Sequence, residues 1–319
     1  MASQFLSARE TVELSAAAAG ALIYSNAEAA IAAALSGKRV LFLPPSVEPD
    51  VFYRMAFMRL PVVSVIYSSS FHMSQPNHGP FLSLLDSGCV LLSVESNQEL
   101  SDLIIIAHAL AESRQVMLPV VIQYDMPYMT EPVVIPGEKS VAPLLKAGNP
   151  YRLDIKKPAA YGVPVEEGYG TMALQQSKAL NNASAVLAAL SESWHAKFRR
   201  KYPPVDAYKT EDADVVAVMI GMHSATARKA ADAEREKNVK AGVARLRTLR
   251  PFPVKEYSET VKSARTASIE MSPAFGRGIL QRETCSASCF SVMKHPSEKD
   301  FTAVFEAAVK GSLKSWVLE

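Results

Sequence analysis

Carboxylates at the ends of predicted strands are the side chains of this sequence best placed to do chemistry. Asp125 follows directly on an apolar strand predicted over residues 118–124, and Glu131 lies a few residues beyond it. Sheets of α/β proteins hold their sites at the carboxyl ends of strands, where a carboxylate can act as a general acid or base. Such carboxylates are also common in loops without a function, and the sequence alone leaves both interpretations open.

A glycine turn is the second candidate. Residues 215–221 form a predicted strand that ends in Gly221, and Ser224 stands at the predicted start of the next helix. Glycine permits close backbone approach and serine can cap free amides, so such a turn can bind an anion. An ordinary strand-to-helix turn needs the same residues. Because the chain has neither a GxGxxG motif nor a P-loop lysine, a nucleotide-binding Rossmann protein is not predicted.

Two further groups of residues have both a functional and a structural interpretation. His72 and His78 share the polar loop after the strand predicted over 61–67, where an imidazole is either functional or simply hydrogen-bonded. Arg245 and Arg247 alternate along one strand and share a face, which favours a solvated or interface-facing stripe over a ligand site. No histidine pairs with Cys, Asp or Glu at metal-ligand spacing, so no metal site is predicted.

The composition is that of a globular protein. Of the 319 residues, 49% are hydrophobic and 21% are charged, the net charge is +2, and no long apolar run or aromatic-interleaved basic run occurs. No membrane and no nucleic-acid partner is therefore predicted. Three cysteines are too few for a disulfide framework, and Cys285 and Cys289 lack the spacing of zinc or iron–sulfur ligands. Since no signal peptide is recognised, the expected compartment is cytoplasmic.

Short apolar runs alternate with helix-period segments through most of the chain. Strands are predicted over residues 38–44, 61–67, 89–94, 118–124, 215–221, 242–249, 267–271 and 290–294, and helices over 8–22, 26–36, 46–59, 97–113, 224–239, 254–264 and 301–316. Apolar strands separated by helices predict parallel sheets that are buried on both faces.

The alternating pattern occurs twice. It is interrupted by a segment rich in Pro, Gly and Tyr that leads into one long helix, predicted over 172–201. The predicted fold class is therefore α/β, with two doubly wound, mainly parallel-sheet domains joined by a helical arm. The first domain spans 1–135, the arm 136–212 and the second domain 213–319.

Several segments resemble, in order, the alpha subunit of pyruvate- and 2-oxoglutarate:ferredoxin oxidoreductases. Asn97-Gln98-Glu99 resembles a run that opens a helix after a strand in that family. Residues 118–125 followed by Glu131-Pro132-Val133 resemble the family's LPV…D…EPV stretch. The most specific segment is Arg250-Pro251-Phe252-Pro253, because it follows the turn of Gly221 at the same spacing as in that family. The order of these segments over most of the chain carries the resemblance more than any one of them.

The resemblance implies a pyrimidine-type thiamine domain followed by a transketolase C-terminal-like domain. It implies a complex that oxidatively decarboxylates a 2-oxoacid on thiamine diphosphate, passes electrons to ferredoxin or another electron acceptor, and releases an acyl-coenzyme A. Thiamine diphosphate would be shared with a beta subunit. Mg²⁺ and iron–sulfur clusters would lie on partner subunits of beta, gamma and delta type, so that this chain alone binds no cofactor.

Three departures from the family concern the site. Aligning on Gly37 puts the family's thiamine-activating glutamate near Ile23, and Glu28 is the nearest carboxylate, about one helical turn away. The family's substrate-binding arginine falls within Ser68–Ser70, and its Asp-His-x-Asp loop survives only as Asn77-His78. Carried over to this chain, the resemblance implies catalytic roles for Glu28 and His78, places Ser69, Asn77, Asn97, Asp125 and Glu131 toward substrate or cofactor, and puts Gly221 and Ser224 in the turn of the second domain.

These departures leave two hypotheses. One is a working alpha subunit whose divergent site takes an unusual 2-oxoacid. The alternative is a non-catalytic structural subunit that keeps the fold and the interfaces but has lost the thiamine-activating and substrate-binding residues.

Overall fold

The computed structural model describes residues 3–68, 77–125, 129–145, 148, 169–272, 278–292, 294–311 and 315–318. Its strands are β1 (Gln4–Ser7), β2 (Leu22–Tyr24), β3 (Val40–Phe42), β4 (Val62–Tyr67), β5 (Val90–Ser93), β6 (Val120–Tyr124), β7 (Thr130–Val133), β8 (Val205–Tyr208), β9 (Val215–Met219), β10 (Ala241–Leu246), β11 (Thr248–Arg250), β12 (Arg265–Glu270), β13 (Ser288–Val292) and β14 (Ser315–Leu318). Its helices are α1 (Ala8–Ala19), α2 (Ala27–Leu35), α3 (Pro49–Phe57), α4 (Gly79–Leu82), α5 (Asn97–Ala111), α6 (Glu138–Val141), α7 (Tyr169–Phe198), α8 (Ser224–Glu236), α9 (Val254–Val261), α10 (Ile279–Thr284) and α11 (Glu298–Lys310).

The first sheet has the strand order β11-β5-β6-β4-β3-β2. All neighbours in it are parallel except β11, which is antiparallel to β5. Strands β3, β5 and β6 are buried along their whole length, as expected for apolar strands covered on both faces. Helix α5 packs on α1 and β6, and nearly all of its residues are buried.

The second sheet has the order β14-β13-β12-β9-β10-β8, with only β8 antiparallel to its neighbour. Helices α8 and α11 pack together, and α11 also packs on β9 and β12. The predicted α/β class with two doubly wound, mainly parallel sheets is confirmed. Among the helices of the described ranges, none combines the length and apolar character that a membrane span requires.

One strand from the second half of the chain joins the first sheet. The single strand predicted over 242–249 is wrong, because the chain leaves the second sheet after Leu246 and enters the first as β11. The Ser93 amide donates to the Arg247 carbonyl oxygen at 2.8 Å where this crossing begins. The segment before Pro251 thus belongs to both halves and joins them.

The N-terminal helix is shorter than predicted. Helix α1 begins at a capping box formed by Ser7 and Glu10 and ends at Ala19, because Gly20 adopts a left-handed conformation with φ 66°. Residue 22, predicted as the end of this helix, is instead the first residue of β2. Strand β1, which pairs antiparallel with β7, was not predicted, and the closing helix ends at Lys310 rather than at Trp316.

The long helix of the arm is anchored on the first domain. Trp194 Nε1 donates to Asp102 Oδ2 at 3.0 Å, and Arg200 and Tyr202 beyond the helix donate to the same carboxylate. Asp102 is on α5 and is fully buried. Helix α7 is therefore held by a polar contact inside an apolar core, and not only by its alanine-rich face.

Replacing Trp194 with phenylalanine is expected to lower the free energy of unfolding by about 1–2 kcal/mol, because the buried carboxylate loses one hydrogen bond while most of the ring volume stays. Urea denaturation followed by far-UV circular dichroism measures the change. Ser193→Ala, at an exposed neighbouring position of the same helix, is the matched control. Equal stability of the two variants would contradict the anchoring role of the indole N–H.

Candidate functional site at the carboxyl edge of the first sheet

The carboxyl ends of β2, β3, β4, β6 and β5 lie at one edge of the first sheet, because these strands are parallel. The segments that follow them supply the polar residues of this edge. Ser25 and Glu28 follow β2, Ser46 follows β3, and Asp125 follows β6. Sites of α/β proteins form at this edge, so these residues are candidates for one site.

Glu28 lies in a cavity at this edge. Asn26 caps α2 by accepting a hydrogen bond from the Ala29 amide at 2.9 Å, which fixes Glu28 in the first helical turn. The cavity, called here the Glu28 cavity, has a volume of about 290 Å³. It is lined by residues from the carboxyl ends of β2 and β3 and from α3: Ser25, Asn26, Ala27, Glu28, Phe42, Pro44, Pro45, Ser46, Glu48, Val51, Phe52 and Arg54.

Two residues that line the Glu28 cavity form an ion pair. Arg54 Nη2 lies 2.7 Å from Glu28 Oε1, and Arg54 Nε lies 3.3 Å from Asp50 Oδ2, one helical turn earlier. The hydrogen bond to Glu28 raises the pKa of Arg54 above its ordinary value. The Glu28 side chain is 69% exposed, so its carboxylate is open to a ligand or to a partner surface.

His78 and Asp125 form a buried pair at the junction of the two sheets. Their side chains are 2.8 Å apart and only 1% and 0% exposed. Asp125 also accepts hydrogen bonds from the Gln123 side chain and from the Met222 amide, and the His78 amide donates to the Met271 carbonyl oxygen. Burial raises the pKa of Asp125, but His78 and the hydrogen bond from the Met222 amide outweigh it and lower the pKa below its ordinary value.

The position of the His78–Asp125 pair can be compared with the roles predicted for the two residues. His78 was expected to be catalytic and Asp125 to face substrate or cofactor. In the folded chain, both connect the carboxyl edge of the first sheet to loops that follow β9 and β12. Asn77 lies beside them, and its Oδ1 accepts from the Gly79 amide at 3.0 Å. Ser69 and His72 lie outside the described residues.

Asn97 and Glu131 hold the start of α5 to the β1–β7 pair. Asn97 Nδ2 donates to the carbonyl oxygens of Leu6 and Met129 at 2.8 and 2.9 Å. Its Oδ1 accepts from the Tyr124 hydroxyl, and its amide donates to Glu131 Oε2 at 2.6 Å. Both residues were expected to face substrate or cofactor, and the structure gives them partners within the protein.

The turn of the second domain contacts the first domain directly. Gly221 has φ +80°, and its amide donates to Ser93 Oγ at 3.0 Å. The cap predicted for Ser224 is wrong, because Ser224 is the first residue of α8 and its hydroxyl donates to Glu95 of the first domain. The turn is thus occupied by interdomain hydrogen bonds, which leaves the anion-binding interpretation without support among the described residues.

Comparison with known proteins agrees with this geometry. Residues 24–191 match the family model of the pyruvate flavodoxin/ferredoxin oxidoreductase, thiamine diphosphate-binding domain, and residues 213–302 match pyruvate:ferredoxin oxidoreductase core domain II. The pyruvate synthase subunit PorA of Pyrococcus furiosus is 30% identical over 294 residues, covering 87% of this chain and 74% of that protein. PorA of Methanocaldococcus jannaschii is 31% identical over 283 residues, covering 82% and 72%.

The first of these family models alone covers more than half of the chain. The chain belongs to the alpha-subunit family of the 2-oxoacid:ferredoxin oxidoreductases. Among solved structures, the 2-oxoglutarate:ferredoxin oxidoreductase of Magnetococcus marinus has the same fold, with a TM-score of 0.71 and 14% identity. The match covers 96% of this chain and 65% of that chain, so this chain spans about two thirds of the enzyme chain it matches. The family resemblance expected from the sequence is confirmed.

Several residues near the carboxyl ends of the strands were not predicted from the sequence to belong to a site. Arg54 is the most important, since it lies beside Glu28, and the signal was its position one turn after Asp50 on a predicted helix. Gln123 bridges Ser93 and Asp125 inside the sheet. His223 lies 3.3 Å from His295, and burial lowers its pKa to about 4. No local sequence pattern indicates the Arg54–Glu28, Gln123–Ser93 and His223–His295 contacts, because each of them joins distant segments.

Proposed function

We propose that this chain is the alpha-type subunit of a thiamine-dependent 2-oxoacid oxidoreductase complex, and that Glu28 is the carboxylate it presents to the thiamine ring. The observation that supports this proposal is the position of Glu28 in a cavity at the carboxyl edge of the first sheet. That edge is where α/β domains bind ligands, and the family model that covers it is a thiamine diphosphate-binding one.

The Glu28 cavity fits the ring end of thiamine and not its diphosphate. Phe42, Val51 and Phe52 offer an apolar wall for a flat ring, and Glu28 offers one acceptor for the polar edge of such a ring. Among the lining residues only Arg54 is cationic, and two carboxylates already engage it, so a diphosphate lacks partners here. A beta-type subunit would supply the diphosphate and Mg²⁺ sites.

Thiamine diphosphate, when bound, would supply the carbanion chemistry that decarboxylation of a 2-oxoacid requires. The contribution of this chain is to hold a carboxylate at a fixed place. Glu28 is fixed by the Asn26 cap and can hold or release a proton at its carboxylate. A beta-type subunit packed over the exposed Glu28 cavity would exclude water from it.

The remaining parts of the proposal concern the assembly. The family relatives are named as subunits, which supports a complex of several chains. We propose that its other chains are of beta, gamma and delta type. Iron–sulfur clusters on those partners would carry electrons to ferredoxin or another acceptor, and coenzyme A would take up the acyl group. We place the complex in the cytoplasm.

A non-catalytic structural subunit is the second candidate. Two observations favour it: the carboxylate of Glu28 is already paired with Arg54, and the place of the family's substrate arginine begins with Ser68, which is buried. In this case another alpha-type chain of the same complex would carry the activating glutamate.

Replacing Glu28 with glutamine distinguishes the catalytic alpha-type subunit from the non-catalytic structural subunit. In the purified complex, Glu28→Gln is expected to lower the turnover number for 2-oxoacid-dependent viologen reduction by about 100-fold, the size of a general acid–base contribution. Glu138→Gln is the matched control, since Glu138 is also a first-turn glutamate and does not line the Glu28 cavity. Full activity of Glu28→Gln in an intact complex would reject Glu28 as the activating acid and favour the structural subunit.

A further inference from the structure

Four titratable side chains meet where the two domains of the chain touch. His78 and Asp125 belong to the first domain, and His223 and His295 follow strands β9 and β13 of the second. His78, Asp125 and His223 are buried, whereas His295 is exposed. These four residues are called here the junction cluster. None of them lines the Glu28 cavity, so the proposed function leaves them without a task.

The turn before α8 joins the junction cluster to the contact between the domains. The Gly221 amide donates to Ser93 Oγ at 3.0 Å, and the Met222 amide donates to Asp125 Oδ2 at 2.8 Å. Both acceptors belong to the first domain, and His223 is the next residue of the turn. A movement of His223 therefore displaces the two amides that hold this turn to the first domain.

His223 faces no free carboxylate that could balance a positive charge. Within the described part of the chain, the titratable groups that face it are Asp125 after β6, His78 before α4 and His295 after β13. Asp125 already accepts hydrogen bonds from His78, from the Gln123 side chain and from an amide of the turn. His295 Nδ1 lies 3.3 Å from His223 Nε2, and a hydrogen bond between two imidazoles needs one unprotonated nitrogen. These surroundings suit a neutral His223 ring.

We propose that the junction cluster is a pH-sensitive contact between the two domains, closed while His223 is neutral and loosened when His223 takes up a proton. A buried imidazolium without a carboxylate of its own is costly, so the protonated ring gains free energy by turning toward water. Because the ring belongs to the turn, this movement draws the amides of Gly221 and Met222 away from the first domain. The inference goes beyond the proposed function and is independent of the role of Glu28.

The direction and the pH range of the effect follow from the surroundings of His223. Burial, His295 and His78 lower the pKa of His223 from 6.5 to about 4, and Asp125 opposes them. A histidine whose folded-state pKa is lowered contributes its full stability above the unfolded value and loses it as the pH falls toward the folded value. The contact between the domains should therefore weaken as the pH falls from 6.5 to about 4.

Hydrogen–deuterium exchange of the full-length chain tests this contact at two pH values. The protection factors of the Gly221 and Met222 amides, corrected for the intrinsic pH dependence of exchange, are expected to fall about 10-fold from about pH 7 to about pH 5. His223→Gln should keep them constant, because glutamine has polar groups but does not titrate. His223→Phe is the second variant, since it also removes the titrating ring and keeps most of the ring volume.

His108→Gln is the matched control. His108 is a fully buried histidine of α5 whose pKa is lowered to about 3 by burial, and it faces Arg39 and not the junction cluster. This variant should show the same fall at residues 221 and 222 as the wild type. The inference is overturned if wild-type protection at these two amides is equal at both pH values, if a folded His223 variant shows an equal fall, or if His108→Gln abolishes it.

Discussion

Replacing Glu99 with glutamine is expected to lower the free energy of unfolding by about 3–5 kcal/mol, because two buried guanidinium groups lose their shared carboxylate. Arg245 Nη2 lies 3.1 Å from Glu99 Oε1, and Arg247 Nε donates to the same oxygen. Arg245 is completely buried, and Glu99 and Arg247 nearly so. Glu99 belongs to α5 of the first domain and the arginines to β10 and its end, so the loss falls on the domain junction.

Urea denaturation of the full-length chain measures this loss. Glu13→Gln, which breaks an exposed pair with Arg9, is the control and should change stability by less than about 1 kcal/mol. If the two variants were equally stable, the ion pairs of Glu99 would not hold the domains together.

The same carboxylate predicts a dependence of stability on pH. Burial raises the pKa of Glu99, but the charges of Arg245 and Arg247 outweigh it and lower the pKa from 4.5 to about 2. A carboxyl group with a lowered folded-state pKa stabilises the fold fully above its unfolded value and loses this contribution as the pH falls toward the folded value. The wild type should therefore lose stability between pH 4.5 and 2 more steeply than Glu99→Gln.

Replacing Gly221 with alanine is expected to lower the free energy of unfolding by about 3 kcal/mol. Alanine would be held in an unfavourable left-handed backbone conformation, and its Cβ atom would clash with a neighbouring side chain. Gly221 has φ +80°, and a Cβ atom there would lie 2.0 Å from Asp125 Oδ2. Asp125 is the buried acceptor for His78 and for the Met222 amide, so it cannot move without breaking those hydrogen bonds.

Gly137→Ala provides the control for this substitution. No heavy atom lies within 4 Å of the Cβ position at Gly137, and its φ of −68° is ordinary for alanine. Thermal unfolding of the two variants should differ clearly, with a loss of melting temperature for Gly221→Ala alone. Equal melting temperatures would mean that the contact between the second-domain turn and Asp125 does not constrain the fold.

Much of the fold follows from local sequence. Strands β4, β5 and β6 are mostly apolar runs of strand length, and the predicted strands 61–67, 89–94 and 118–124 match them closely. Strand β2 has only three residues after an alanine-rich helix, so its pattern could not be told from one more helical turn. Strand β11 joins the other sheet through long-range pairing, which no local pattern encodes.

In the candidate site, too, local sequence predicted individual residues but not the long-range contacts between them. Asp125 and Gly221 were each recognised as strand-end residues, but their contact depends on the docking of the two sheets. The stripe of Arg245 and Arg247 was interpreted as solvated or interface-facing; the interface is confirmed and the solvated alternative is wrong. Glu28 was recognised only through the family resemblance, and the Glu28 cavity needs Arg54 and the loop after β3 as well.

A cryo-EM structure of the purified complex with thiamine diphosphate bound is the most direct measurement of the role proposed for this chain. We predict that the thiamine ring lies over the Glu28 cavity, with the Glu28 carboxylate within hydrogen-bond distance of a ring nitrogen. A thiamine ring that faces a glutamate of another chain, with the Glu28–Arg54 pair intact and remote from it, would contradict the catalytic assignment.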